Sequence, residues 1–114
     1  MPNEPTILAI ETSLDDTCAA VTHGLRILSN VVSSQALHHA SWGGTVPDIA
    51  KRLHREWLPQ VVDRALRTAG SPKLDALAVT IGPGLAPSLE QGISYSKILN
   101  TKYQIPIIAV NHME

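Results

Sequence analysis

"TILAIETSLDDTCAAVTHGLRILSNVVSSQ", residues 6–35, is the stretch whose reading decides the fold. Residues 6–12 and 17–24 are rich in β-branched and apolar side chains, and only the polar SLDD of residues 13–16 separates them. That spacing predicts a hairpin with a short loop. A third β-rich run, residues 26–35, follows almost at once through a tight turn near Gly24. Three hairpin-linked strands therefore open the chain.

Downstream the pattern changes. Residues 36–45, ALHHASWGGT, have no clear period and contain Gly43-Gly44, so a loop is expected there. Pro47 suits a helix's first turn, where its missing N–H costs nothing. From Ile49 the apolar residues Leu53, Trp57, Val61, Ala65 and Ala69 recur every four positions and mark one helical face. Pro59 should kink or split this helix, and Gly70 with Pro72 just beyond should end it. Residues 75–81, DALAVTI, form a continuous apolar run, as expected of a strand buried on both faces. Gly82-Pro83-Gly84 turns the chain, and Pro87 opens a second helix to about Tyr103. Its inner stripe would be Leu85, Leu89, Gly92, Ile93 and Ser96, small enough in part for close approach to a sheet. Residues 106–110, PIIAV, make a fifth strand.

The order β-β-β-α-β-α-β describes an α/β domain: a mixed five-stranded sheet with helices packed on it and right-handed crossovers. That order resembles a lobe of the ribonuclease-H-like or actin-like superfamily, which includes hexokinases, acetate kinases and heat-shock ATPases. At 114 residues the chain can bury one core and is too short for two. With 44% hydrophobic and 17% charged residues it has a soluble globular composition. No run approaches a membrane span, and no signal-peptide pattern follows Met1. A formal net charge of -1 provides no electrostatic footprint for nucleic acid. The single Cys18 has no internal disulfide partner, and a buried thiol in a reducing cytoplasm is the preferred reading.

Four places could carry chemistry. Around residues 11–17, Glu11, Ser13, Asp15, Asp16 and Thr17 crowd one turn. Its N–H groups and hydroxyls could hold an anion, and its carboxylates could bind a hydrated cation or take a proton. Asp and Ser also simply favour turns, and residue types alone lean to that plainer reading. GPGL, residues 82–85, could place Gly82 and Gly84 against an anion at a helix start. It is neither a Walker loop nor GxGxxG, and a plain strand-to-helix turn is preferred. His23, His38, His39 and His54 are scattered, which suits surface or hydrogen-bonded residues better than ligands. His112 differs in standing just past a strand end, although no second ligand follows it one helical turn on. KRLHR, residues 51–55, reads as a solvated helix face before a phosphate contact.

Together these segments resemble one family, the tRNA N6-adenosine threonylcarbamoyltransferases, formerly called O-sialoglycoprotein endopeptidases. Four blocks carry the likeness: LAIETSLDDT at 8–17; SNVVSSQ with His39, Gly43-Gly44 and VPDIAKRLH within 29–54; AVTIGPGLAPSL at 78–89; and VNHME at 110–114. The resemblance implies transfer of threonylcarbamoyl from threonylcarbamoyl-adenylate to the exocyclic amine of an adenosine beside the tRNA anticodon. It implies that Asp15 and Asp16 are the acidic pair needed for activity near the adenylate, with Glu11 and Ser13 in the same loop. It implies that His112 is the first ligand of an iron or zinc site, whose second histidine and later aspartate are not in this chain. A paralogous actin-like partner subunit is implied too. Leu14 stands where the family commonly has cysteine, and Glu90-Gln91 replaces two usually apolar positions, so that turn should face solvent or a partner. Family chains are roughly three times longer and two-lobed, so residues 1–114 should be the first lobe, cut inside the metal motif. Such a fragment is expected to be inactive alone and to self-associate. The alternatives are the family's non-catalytic interaction subunit, which lacks the Asp-Asp loop and the histidine segment, a sugar or acetate kinase lobe, whose Gly-rich phosphate hairpin is missing, and an inactive truncated product.

Overall fold

A computed structural model describes residues 4–44 and 46–111. Strands β1 (Thr6–Glu11), β2 (Asp16–His23) and β3 (Arg26–Ser34) form an antiparallel meander. Helix α1 (Ala36–His39), a 3₁₀ turn (Ala40–Trp42) and the long helix α2 (Pro47–Thr68) lead to β4 (Ala76–Gly82). Helix α3 (Ala86–Tyr103) then returns the chain to β5 (Ile107–Asn111). The sheet order is β3-β2-β1-β4-β5, with β4 parallel to both β1 and β5. The meander and the two crossovers match the order expected from the sequence.

Alternation along the strands explains which face is covered. Leu8 lies opposite Val21 on one side and Leu77 on the other, and Ile10 lies between Ala19 and Val79. These six side chains share a core with Leu58, Val61, Val62 and Ala65 of α2 and Leu99 of α3. Both long helices therefore pack on one face. The other face carries Ala9, Ala20 and Ala78 in register at its centre, all half-buried. β4 is thus not buried evenly on both sides: Leu77 is fully covered while Ala78 is half-open and Ile81 is 49% exposed. Its continuous apolar run reflects a central place in the sheet, with alanine on the face that the helices leave open.

Two further expectations change. Residues 36–42 are helical instead of a plain loop, because buried His39 bonds back to Gln35 and closes the turn. Helix α2 runs through Pro59 undivided. The proline deprives the carbonyl of Arg55 of its partner, and both residues are exposed, so water can replace the lost bond. The buried stripe of α2 is Ala50, Leu53, His54, Leu58, Val61, Val62 and Ala65. A strict four-residue spacing drifts about 40° per step around a helix of 3.6 residues per turn, so it cannot stay on one face. Ile49, Trp57 and Ala69 consequently lie at the stripe's margins, half-buried.

Candidate functional site

The loops after β1 and β4 leave the carboxyl ends of adjacent parallel strands, where open α/β sheets gather ligands. Here they touch. The Leu85 N–H donates to the Ser13 carbonyl at 2.8 Å. A Cβ on Gly84 would lie 2.5 Å from that same oxygen and 2.7 Å from Ser13 Cβ, so only glycine permits the approach. Helix α3 is brought in equally close. A Cβ on Gly92 would stand 2.6 Å from Thr12 Oγ1, which donates to the Ser88 carbonyl at 2.8 Å.

Three successive carbonyls of the acidic loop are gripped from three directions. Ser13 is held by Leu85 at the start of α3, Leu14 by His54 Nε2 of α2 at 2.8 Å, and Asp15 by the Gln35 N–H after β3 at 2.8 Å. In a planar trans peptide the next N–H points opposite to the carbonyl. The N–H groups of Leu14, Asp15 and Asp16 are therefore turned away from those three holds. Glu11, Ser13, Leu14, Asp15, Asp16 and Cys18 line a cleft of about 230 Å³ on the loop. A second hollow of about 230 Å³ lies on the open sheet face over Ala9, Ala20 and Ala78. The two hollows are neighbours, with Glu11 and Cys18 lining both.

Side-chain chemistry divides within this loop. Asp15 and Asp16 are half-buried on the cleft. Glu11 accepts from the Ser13 N–H at 2.6 Å and from Thr80 Oγ1 at 2.5 Å, which ties β1, its loop and β4 together. Thr17 is fully buried with its hydroxyl 2.8 Å from His54 Nδ1, so it belongs to the loop's support. Burial, followed by the negative charges of Asp16 and Glu11, pushes the Cys18 thiol up to about 11. It stays protonated at neutral pH and is a poor nucleophile. Cys18 is half-buried on the open face instead of lying within the core.

The family model TsaD, tRNA N6-adenosine threonylcarbamoyltransferase, matches residues 26–114. The chain belongs to this family. The tRNA N6-adenosine threonylcarbamoyltransferase of Geobacter metallireducens is 50% identical over 112 residues, covering 95% of this chain and 33% of its own length. That of Clostridium perfringens strain SM101 is 47% identical over 98% of this chain and 34% of its own. Among solved structures, YeaZ from Pseudomonas aeruginosa is similar at 28% identity and a TM-score of 0.72, over 94% of this chain and 44% of that one. The chain thus spans about a third of the length of the curated threonylcarbamoyltransferases it matches.

Against that family, the structure brings Glu11, Ser13, Asp15 and Asp16 together and joins Gly84 to their loop. A Cβ on Gly82 would meet nothing within 4 Å, so its place at the turn is not set by crowding. His23 lies beside Thr6 Oγ1, and His38 packs edge-on to Trp57. His39 and His54 are buried and hydrogen-bonded, not ligand-like. Among the described residues no group of three or more His, Cys, Asp or Glu could hold a metal ion, and His112 lies outside those residues. Lys51, Arg52 and Arg55 are exposed, as a solvated face requires, but Leu53 and His54 between them are buried. His39 and His54 are hydrogen-bonded as expected, but their burial in support of the loop, and the part played by Gln35, are not marked in the sequence; a polar residue at the spacing Ala50, His54, Leu58 is the signal for His54.

Proposed function

We propose that this chain is the adenylate-holding lobe of a tRNA N6-adenosine threonylcarbamoyltransferase. The observation that carries the reading is the acidic loop itself, with three carbonyls drawn inward and its cleft lined by Asp15 and Asp16. Backbone N–H groups turned outward suit the phosphate of threonylcarbamoyl-adenylate. A carboxylate beside them suits the amine. As the adenosine N6 bonds to the carbamoyl carbon, the bond from that carbon to the phosphate oxygen breaks and AMP leaves. The amine must also shed a proton, and Asp15 or Asp16, both lining the cleft, would take it. Glu11, with its oxygens on Ser13 and Thr80, positions the loop. Gly84 lets the β4 turn close against it, with Gly82 at the same turn.

The substrates would be threonylcarbamoyl-adenylate and tRNA, and a paralogous actin-like subunit would be the protein partner. His112 would contribute one ligand to an iron or zinc ion that positions and polarises the acyl group. The described residues supply no such set. The intact acidic loop favours this reading over the non-catalytic interaction subunit. To test it, a complete protein bearing this chain as its first third would be incubated with threonylcarbamoyl-adenylate, its partner proteins and tRNA. Mass spectrometry of the digested tRNA should show threonylcarbamoyladenosine, and wild-type protein that yields none would overturn the assignment.

A further inference from the structure

His54 sits at the centre of the apolar stripe of α2 and is 0% exposed. A leucine would fill that place without the cost of burying a polar ring, so the imidazole needs a reason. Both of its nitrogens are engaged: Nε2 faces the Leu14 carbonyl at 2.8 Å and Nδ1 faces Thr17 Oγ1 at 2.8 Å. A carbonyl only accepts, so Nε2 must carry the proton. In a neutral ring Nδ1 is then an acceptor, and the Thr17 hydroxyl must donate to it. Burial lowers the ring's pKa below its usual value. The Leu14 carbonyl and the charges of Glu11, Asp15 and Asp16 oppose that shift. The ring is therefore neutral at pH 7, in the Nε2–H tautomer that the Leu14 carbonyl requires and the Thr17 hydroxyl accommodates.

The Leu14 carbonyl and the Asp15 N–H belong to one peptide plane, and a bond to the first sets the direction of the second. We propose that His54 is a positioning residue: its Nε2–H, locked in place by Thr17, orients the Leu14–Asp15 peptide and so aims Asp15 at the cleft. The catalytic meaning rests on the function proposed above; the structural claim does not. The nearest packing role, filling the core under β2, would be met as well by an apolar side chain. What an apolar side chain cannot supply is the donor.

The test compares His54→Gln, whose amide can reach and donate from about the place of Nε2, with His54→Leu, which packs but cannot donate. Long-range proton–nitrogen spectra of the wild-type chain should show the Nε2–H tautomer, and an Nδ1–H ring would overturn the proposal. Relaxation of the Asp15 amide should report an order parameter near about 0.85 in wild type and His54→Gln, falling below about 0.6 in His54→Leu. In the complete protein, kcat for transfer should fall by about 10- to 100-fold in His54→Leu, with KM for tRNA little changed and with recovery in His54→Gln. Equal behaviour of the Leu and Gln variants, or a kcat loss that tracks melting temperature, sinks the idea. Should His54→Leu not fold, Thr17→Val keeps the ring and its Nε2–H but removes the hydroxyl that holds Nδ1, and an unchanged Asp15 amide in that variant refutes the lock. If wild-type protein transfers nothing, the function fails alone, and the spectra still decide the positioning.

Discussion

Gly92→Ala offers a test of how closely α3 must approach β1. The added Cβ would lie 2.6 Å from Thr12 Oγ1, far inside contact distance, and 3.5 Å from Ile10 Cγ2, which is ordinary contact. Thr12 is buried and its hydroxyl is committed to the Ser88 carbonyl, so it cannot simply swing aside. Overpacking of this kind costs about 1–3 kcal/mol, and losing the hydroxyl's bond adds about 1 kcal/mol. Alanine recovers about 1 kcal/mol through helix propensity. The net expectation is about 2 kcal/mol of destabilisation. In a Thr12→Ala background the obstructing oxygen is gone, and the same Gly92→Ala change should stabilise by about 1 kcal/mol. The two backgrounds should therefore differ by about 3 kcal/mol, the upper end for directly touching residues. Urea unfolding followed by circular dichroism, at one fixed protein concentration, measures both legs of the cycle. If Gly92→Ala has the same effect in both backgrounds, the close approach through Thr12 is not what requires glycine.

Other outcomes follow from the site. If the proposed function holds, Asp15→Ala and Asp16→Ala in the complete protein, assayed with its partner proteins, should each lower threonylcarbamoyl transfer by about 100-fold or more, while melting stays within a few degrees of the exposed control Lys73→Ala; transfer equal to the control would leave the loop as a turn. Because the folded-state pKa of His54 lies below the unfolded value of 6.5, the unfolded chain binds more protons between the two. Stability should therefore be fully present above pH 6.5 and fall as pH drops through the folded value, and His54→Gln should flatten that segment of the curve. Cys18 alkylation by iodoacetamide should climb steeply with pH, with its midpoint near 11 instead of the ordinary thiol value; fast labelling at pH 7.5 would contradict the burial assigned to it. The open sheet face, flanked by Val32 at 54%, Ile108 at 45% and Val110 at 38% exposure, should make the 114-residue chain associate. Sedimentation that shows only monomer across a wide concentration range would contradict that.

The strands were legible because their side chains alternate against short polar turns, and the crossovers because period and proline placement mark helices. α1 was not legible: four residues carry no period, and its turn closes through the tertiary burial of His39 against Gln35. The α2 stripe was misplaced because a four-residue spacing was followed where three- and four-residue steps alternate, and that error hid His54. For the site, acids and hydroxyls at one turn advertised themselves by residue type. The hands that hold the turn did not. Leu85 and Gln35 act through backbone N–H groups, which every residue but proline possesses, so composition cannot single them out. Gly84 stood out as a glycine, but its reason is a contact with Ser13, seventy-one positions away in sequence by difference of their numbers.

The triple hold on Ser13, Leu14 and Asp15 works as a logical AND. One grip comes from the start of α3, one from the middle of α2 and one from the residue that follows β3. Each grip exists only when its element has docked, and sub-global opening detaches such elements one at a time. A molecule that has lost any one of them keeps most of its sheet but not the loop's shape. Chemistry at this loop would therefore be silent in every partly folded form, and activity would report the integrity of the whole lobe.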